Sequence, residues 1–468
     1  RKLLVKQFCM NKIFGLLSTS LIYWEIAKYI NNNKYGIVIP ASYEILKYFE
    51  SKKIKVNYFA SRYSFLILKL KYFYKSFIFI LKFLINKNKF KNSKEPYIFV
   101  FDINKDAIPR SNQELSYINW IKKNLSKDKK IYQDKYIVSN QSNLNIHFSQ
   151  YKFPKLLNFK THNKIFINFV IMSIHYFFSI FNHKSLSVFF FQEYFECKII
   201  ENINEKNLAD LYIFNNVSRN YRPMWTYNPK IINKTYYIFY GLNEFPIYFK
   251  KDKKILSNVG WSLMNWPIYL NWNKPFLKYL EISLKESSQK ILYDEPIWYR
   301  DDNNKDNLRF ENNLKTLALY DVTPIKSSLN FSWTKRSSFI NNSTNVINFY
   351  KDILALKEKY NFNFILKFKK NERDKSDLIY EEIFSDISNK KTFKFINTNK
   401  SPKIINSMVD AIISYPFTSA AYFNPRNLPT TYYDPSGLID EINQINFGVN
   451  LIENFDKLEN WVKSNLSD

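Results

Sequence analysis

Short apolar runs bounded by polar turns alternate with longer stretches of helical periodicity over most of the chain. Tyr35–Pro40 predicts a buried strand, Ser42–Glu50 a helix and Ile54–Phe59 a second strand. Tyr97–Asp102 predicts a strand that ends in a carboxylate. Ser187–Glu193 repeats that design, followed by a helical stretch to about Ile203, then strands over Asp210–Phe214 and Thr235–Tyr240. The later part is more regular. Leu317–Leu319 leads to Asp321, Asn345–Tyr360 is an amphipathic helix, Phe362–Phe368 a strand, Leu378–Ile387 a helix and Phe393–Ile396 a strand. Ser401 then opens a helix with Pro402 in its first turn. Such alternation predicts an α/β fold, with parallel sheets covered by helices on both faces.

Two segments are too apolar to be ordinary amphipathic helices. In the first, 63–89, Lys71, Lys75, Lys82 and Lys89 fall near one helical face, which makes a poor membrane span. Such a helix either lies in a membrane interface or packs in a core with its lysines toward water. The second, Ile165–Phe181, has no charged residue and is barely long enough to span; a core helix is the first reading and membrane contact the second. Near the start, Lys6, Lys12 and the apolar run Ile13–Ile22 superficially resemble a leader. Glu25 and Lys28 continue the helical pattern, so a folded helix is expected there.

A length of 468 residues accommodates two domains. The run Asp301-Asp302-Asn303-Asn304-Lys305-Asp306 breaks the periodicity and sets the expected boundary, with domains 1–305 and 306–468. A net charge of +28 raises nucleic acid as a partner. The excess is mostly Lys spread over the whole chain, without a recognition module, so a solvated charge is favoured and no nucleic-acid partner is expected. An anionic membrane surface or an anionic small molecule would feel the same field. Cys9 and Cys197 make no disulfide framework, and His147, His162, His175 and His183 have no metal-ligand spacing. Six glycines leave neither a G-x-G-x-x-G nor a P-loop, so any phosphate is held by another device and no cofactor is expected.

That device is suggested by Ser414-Tyr415-Pro416-Phe417-Thr418-Ser419, where the apolar run from Asp410 gives way to helix-compatible residues. A strand, a tight loop and a helix start would present unpaired amides, the positive end of the helix dipole and the Thr418 and Ser419 hydroxyls to an anion. The alternative is that these hydroxyls only cap the helix. Together with Tyr432-Tyr433-Asp434-Pro435, the stretch resembles the signature of bacterial polysaccharide biosynthesis proteins named for a Pro-Phe-Thr-Ser motif. Looser similarity extends to Tyr320–Pro324 and Arg222–Tyr227.

The resemblance implies a GT-B-like fold, two Rossmann-like domains facing a central cleft. It also implies a glycosyltransferase acting without a metal on a nucleotide-sugar, similar to transferases of sialic-acid-like and Kdo-like sugars from CMP-linked donors. The expected acceptor is a glycan or lipid-linked sugar of capsule or O-antigen assembly, at the cytoplasmic membrane face. On that reading Asp321, Thr323, Pro416, Phe417, Thr418, Ser419, Tyr433 and Asp434 bind the donor. Lys367 and Lys369 follow a strand end where related transferases carry a His-Pro pair, so their phosphate role is analogy. Asp102 and Glu193, each placed just beyond a strand, are the candidate bases. Arg222 and Asn243 are weak acceptor-side candidates. A non-catalytic nucleotide-sugar or lipid-binding protein of the same fold is the alternative.

Overall fold

The computed structural model describes residues 38–51, 53–85, 96–103, 116–126, 129–133, 146–148, 159–182, 185–215, 222–239, 248–250, 264–272, 289–293, 310–322, 343–367, 390–396, 402–416, 427–440 and 449–466, with some single positions between them, Thr418 included.

Apolar runs without alternation can be buried on both faces only where helices cover both, and such strands pair in parallel. Seven form the first sheet: β1 (Tyr97–Val100), β2 (Lys130–Gln133), β3 (Ile146–Phe148), β4 (Leu211–Asn215), β5 (Thr235–Ile238), β6 (Ile268–Asn271) and β7 (Gln289–Leu292). They lie in the order β3-β2-β1-β4-β5-β6-β7, every ladder parallel. Six form the second: β8 (Thr316–Tyr320), β9 (Asn363–Lys367), β10 (Phe393–Ile396), β11 (Ala411–Ser414), β12 (Thr430–Asp434) and β13 (Asn450–Glu453). Their order is β10-β9-β8-β11-β12-β13, again all parallel. Strand order reverses between β1 and β4 in the first sheet and between β8 and β11 in the second. At such switch points the loops leave in opposite directions and open a crevice beyond the carboxyl ends.

The helices are α1 (Tyr43–Ser51), α2 (Tyr58–Ile85), α3 (Tyr117–Ile121), α4 (Phe159–Phe181), α5 (Phe191–Asn202), α6 (Ser343–Lys359), α7 (Pro402–Asn406) and α8 (Phe455–Leu466). Aromatic rings join α2, α4 and α5: Phe73 stacks on Phe191 at 5.5 Å and meets Phe177 edge-on at 6.0 Å, while Phe77 lies 5.1 Å from Phe169. In the second sheet, Phe349 of α6 packs edge-on against Tyr415 at 5.6 Å.

Several expectations are corrected. Ile54–Phe59 is not a strand: only Val56 makes a bridge, and Tyr58 begins α2. The described part of 35–40 forms no strand and belongs to neither sheet; Gly36, at φ +73°, lies so close to the 55–57 backbone that a Cβ would meet Asn57 N at 3.0 Å. Ser187–Glu193 is a 3-10 turn over Ser187–Phe190 running into α5. An aromatic run does not distinguish a buried strand from a buried helix, and packing against α2 and α4 chose the helix here. The helix expected at 63–89 spans 58–85. Ile165–Phe181 lies within α4, which buries one side only, with only 28% of its most apolar window covered. The strands β2, β3, β6, β7, β12 and β13 fall where no strand was expected. The two sheets separate between Leu292 and Thr316, and the proposed boundary at 301–306 lies outside the described residues.

Candidate active site

Four neighbouring strands of the second sheet end at one edge. Tyr320 and Ser414 are register partners on β8 and β11, Tyr320 and Lys367 on β8 and β9, and Ser414 and Tyr432 on β11 and β12. Asp321, Lys367, the Tyr415–Thr418 turn and Asp434 therefore converge on the β8/β11 switch point, although 113 positions separate the first from the last.

Lys367 and Asp321 set the electrostatics. Burial lowers the Lys367 ammonium to about 8, and the Asp321 carboxylate pulls the other way without cancelling it. Asp321 is almost wholly buried and accepts a 2.7 Å hydrogen bond from Tyr350 Oη of α6. A desolvated cation at a strand end beside the crevice would interact more strongly with an incoming anion than one in water.

The Pro-Phe-Thr-Ser turn differs from expectation. Thr418 Oγ1 lies 2.5 Å from Ser414 Oγ, both groups buried, and the Thr418 carbonyl accepts from Tyr432 Oη at 2.9 Å. The Thr418 hydroxyl thus closes the turn on itself instead of pointing outward. Pro416 is buried in the same turn. Phe417 and Ser419, with the helix start expected after them, lie outside the described residues, as do Thr323, Lys369 and Asn243.

Tyr433 and Asp434 also have structural duties. Tyr433 Oη donates to Asp352 Oδ2 of α6 at 2.5 Å, and burial pushes both groups upward in pKa. Asp434 holds its own loop: Oδ1 accepts from Ser436 N at 3.0 Å and from Ser436 Oγ at 2.5 Å, and Oδ2 accepts from Ile439 N at 3.1 Å. Gly437 supplies the positive φ of +61° that this turn requires. The loop carries Ile439 into an antiparallel bridge with Phe249, with Lys250 N bonded to Leu438 O, Asp440 N bonded to Tyr248 O, and an ion pair between Lys250 and Glu453. Asp434 therefore shapes the contact between the two halves of the chain. Asp434→Ala should destabilise the protein by about 2–3 kcal/mol by leaving loop donors without their acceptor, read as a lower urea midpoint. A raised donor KM at unchanged stability would instead return Asp434 to the donor site.

The first sheet has its own switch point. Asp102 follows β1 with φ +54°, an uncommon conformation for a non-glycine residue and one that often marks a functional site. Beside it, Asn215 at the end of β4 donates to Phe101 O at 2.9 Å and ties the two strand ends together. Glu193, the other candidate base, is not at a strand end. It sits in the first turn of α5, where Oε2 accepts from Met224 N at 2.9 Å. Arg222 is likewise committed: its guanidinium donates to Thr226 Oγ1, Thr226 O and Asn265 O, and stacks 3.9 Å over Tyr227. The looser Arg222–Tyr227 similarity thus marks a buried clamp.

Sequence reasoning overlooked Tyr350, Asp352 and Ser414. Ser414 was already inside the quoted motif. Tyr350 and Asp352 gave only the signal of polar atoms on a helix whose neighbours Phe349 and Ile353 are buried.

Two all-parallel, separately wound sheets, each with a switch point, define a two-Rossmann α/β protein of the GT-B type. The family model for polysaccharide biosynthesis PFTS motif proteins matches residues 169–462. The chain belongs to that family. No curated protein sequence matches it. Among solved structures it is similar to a glycosyltransferase from Rickettsia africae, at 13% identity and TM-score 0.41, covering 81% of this chain and 89% of that one. It is also similar to the S. aureus MnaA–UDP co-structure, at 12% identity and TM-score 0.40, covering 80% and 88%. A third is the trehalose 6-phosphate synthase of Burkholderia multivorans, at 7% identity and TM-score 0.40, covering 80% and 91%.

Proposed function

We propose that the protein is a glycosyltransferase of bacterial surface-polysaccharide assembly that moves a sugar from a nucleotide-activated donor, CMP-linked by family resemblance, to a glycan or lipid-linked acceptor. The observation that carries this reading is Lys367, a desolvated cation facing Asp321 at the switch point of the second sheet. In the proposed step the acceptor hydroxyl attacks the anomeric carbon and the bond from that carbon to the donor phosphate breaks. The electron pair leaves with the nucleotide, and Asp102 takes the hydroxyl proton. Lys367 stabilises the departing charge. Because Lys367 supplies the positive charge, the reaction is proposed to need no metal. The place of action is the cytoplasmic side of the cell membrane.

Incubating the protein with CMP-sugars and UDP-sugars tests the reading. Slow release of free sugar and nucleotide from one donor series, unchanged by a chelator, is the expected result. Tight donor binding with no release under any acceptor would instead identify a non-catalytic nucleotide-sugar binder.

A further inference from the structure

Helices α2 and α4 lie side by side, and each turns an apolar stripe away from the core. On α4 the outward residues include Ile167, Ile171, Ile174, Phe177, Phe178 and Phe181. On α2 they are Phe59, Tyr63, Ile67, Leu70 and Tyr74, spaced four, four, three and four apart, which keeps them on one face. Neither stripe is a poorly filled core. The opposite sides are buried through Phe65, Ile80 and Leu84 of α2 and Ile165, Phe169, Tyr176 and Ile180 of α4. Lys69 locks the pair: buried in α2, its Nζ donates at 2.6 Å to Asn182 O at the carboxyl end of α4.

Charge says what this face meets. Neither helix contains an Asp or Glu anywhere along its length. Exposed Lys71, Lys75 and Lys82 run along one flank of the α2 stripe, and exposed Lys160 and Lys164 stand before the α4 stripe. Where the start of α2 meets the end of α4, a groove of about 530 Å³ is walled by Phe59, Tyr63, Leu66 and Phe181 and carries the exposed cation Arg62, with the Lys69 stem beneath. Apolar faces on helices that carry basic but no acidic residues, with a groove lined by Arg62 beside them, complement a negatively charged lipid surface.

We infer that α2 and α4 form a monotopic docking surface that seats the protein on an anionic phospholipid bilayer. The α4 stripe sinks to the level of the acyl chains and the flanking lysines meet the head groups. Twenty-three residues make α4 roughly 34 Å long, enough to cross a bilayer, but its inner side is packed against α2 and α5, so it lies along the surface. The inference stands whether or not the chain transfers a sugar.

The test is co-sedimentation of the full chain with phosphatidylcholine vesicles, with and without phosphatidylglycerol. The protein should follow the anionic vesicles and be released by alkaline carbonate. The variant Ile167→Glu/Ile171→Glu/Phe178→Glu alters residues that are 58, 61 and 67% exposed. It should keep its circular dichroism and lose about a hundredfold or more in vesicle affinity. Lys71→Glu/Lys75→Glu/Lys82→Glu should lose about a hundredfold on anionic vesicles and little on neutral ones. Wild-type protein that stays in the supernatant overturns the inference, as do triple variants that bind undiminished. Resistance to carbonate would show a span instead. Self-association through this face without vesicle binding would show that it receives a second copy of the chain.

Discussion

Replacing Lys367 by Met is expected to lower kcat/KM for donor turnover by about 10²–10³-fold, the range seen when a preorganised charge partner is removed. The melting temperature should fall, because relief of the ammonium's burial is outweighed by the counter-charge that buried Asp321 loses, so the loss of turnover is read on the folded variant. The cause is local. Burial brings Lys367 to about 8, so near neutral pH the ammonium is charged but poorly solvated, and a phosphate restores part of what it lost. The sign with pH follows. Below about 8 Lys367 is charged and binds the donor phosphate. As pH rises through that value the charge is lost, and the donor Kd should climb by up to about tenfold per unit. Lys367→Met should flatten that dependence. Calorimetric titration of CMP-sugar and UDP-sugar across pH 6.5–9.5 reads both effects. A Kd independent of pH in the wild type, or turnover unaffected by the substitution, would place the phosphate elsewhere.

Asp102→Asn should slow turnover by about 10²–10⁴-fold, the usual worth of a general base, while donor affinity stays unchanged. Asn is as well suited as Asp to a left-handed backbone, so the φ of +54° is kept and the change is confined to charge. Glu193→Ala is the contrasting variant: it removes the acceptor of the Met224 amide and should appear first as lost stability. An unchanged rate in Asp102→Asn together with a lost rate in a still-folded Glu193→Gln would return the proton to Glu193.

The candidate site was readable where it depends on strand ends. A buried parallel strand is a continuous apolar run, and the first polar residue beyond it falls at the crevice. That logic points to Asp102 and Lys367, whereas Asp321 is singled out by the motif resemblance. It failed at Glu193, because Val188-Phe189-Phe190-Phe191 fits a buried helix as well as a buried strand. It also failed for hydroxyl and carboxylate orientation. Thr418, Tyr433 and Asp434 stand where expected, yet their polar atoms turn to Ser414, Asp352, and Ser436 with Ile439. Residues up to 81 positions apart make these pairs, and local periodicity carries no information about them. Arg222 repeats the lesson, since its third partner is Asn265.

From the chain alone came the α/β alternation, the motif around Thr418, the lysine-bearing apolar segment 63–89 and the uncharged apolar run Ile165–Phe181, because each is written in neighbouring residues. Assembly decided the rest. Strand order made β1/β4 and β8/β11 into switch points, burial lowered the Lys367 ammonium to about 8 beside Asp321, and the packing of α2 on α4 determined which stripe faces outward. Those properties depend on which distant groups share a low-dielectric space, and that arises only when the sheets and helices close on one another.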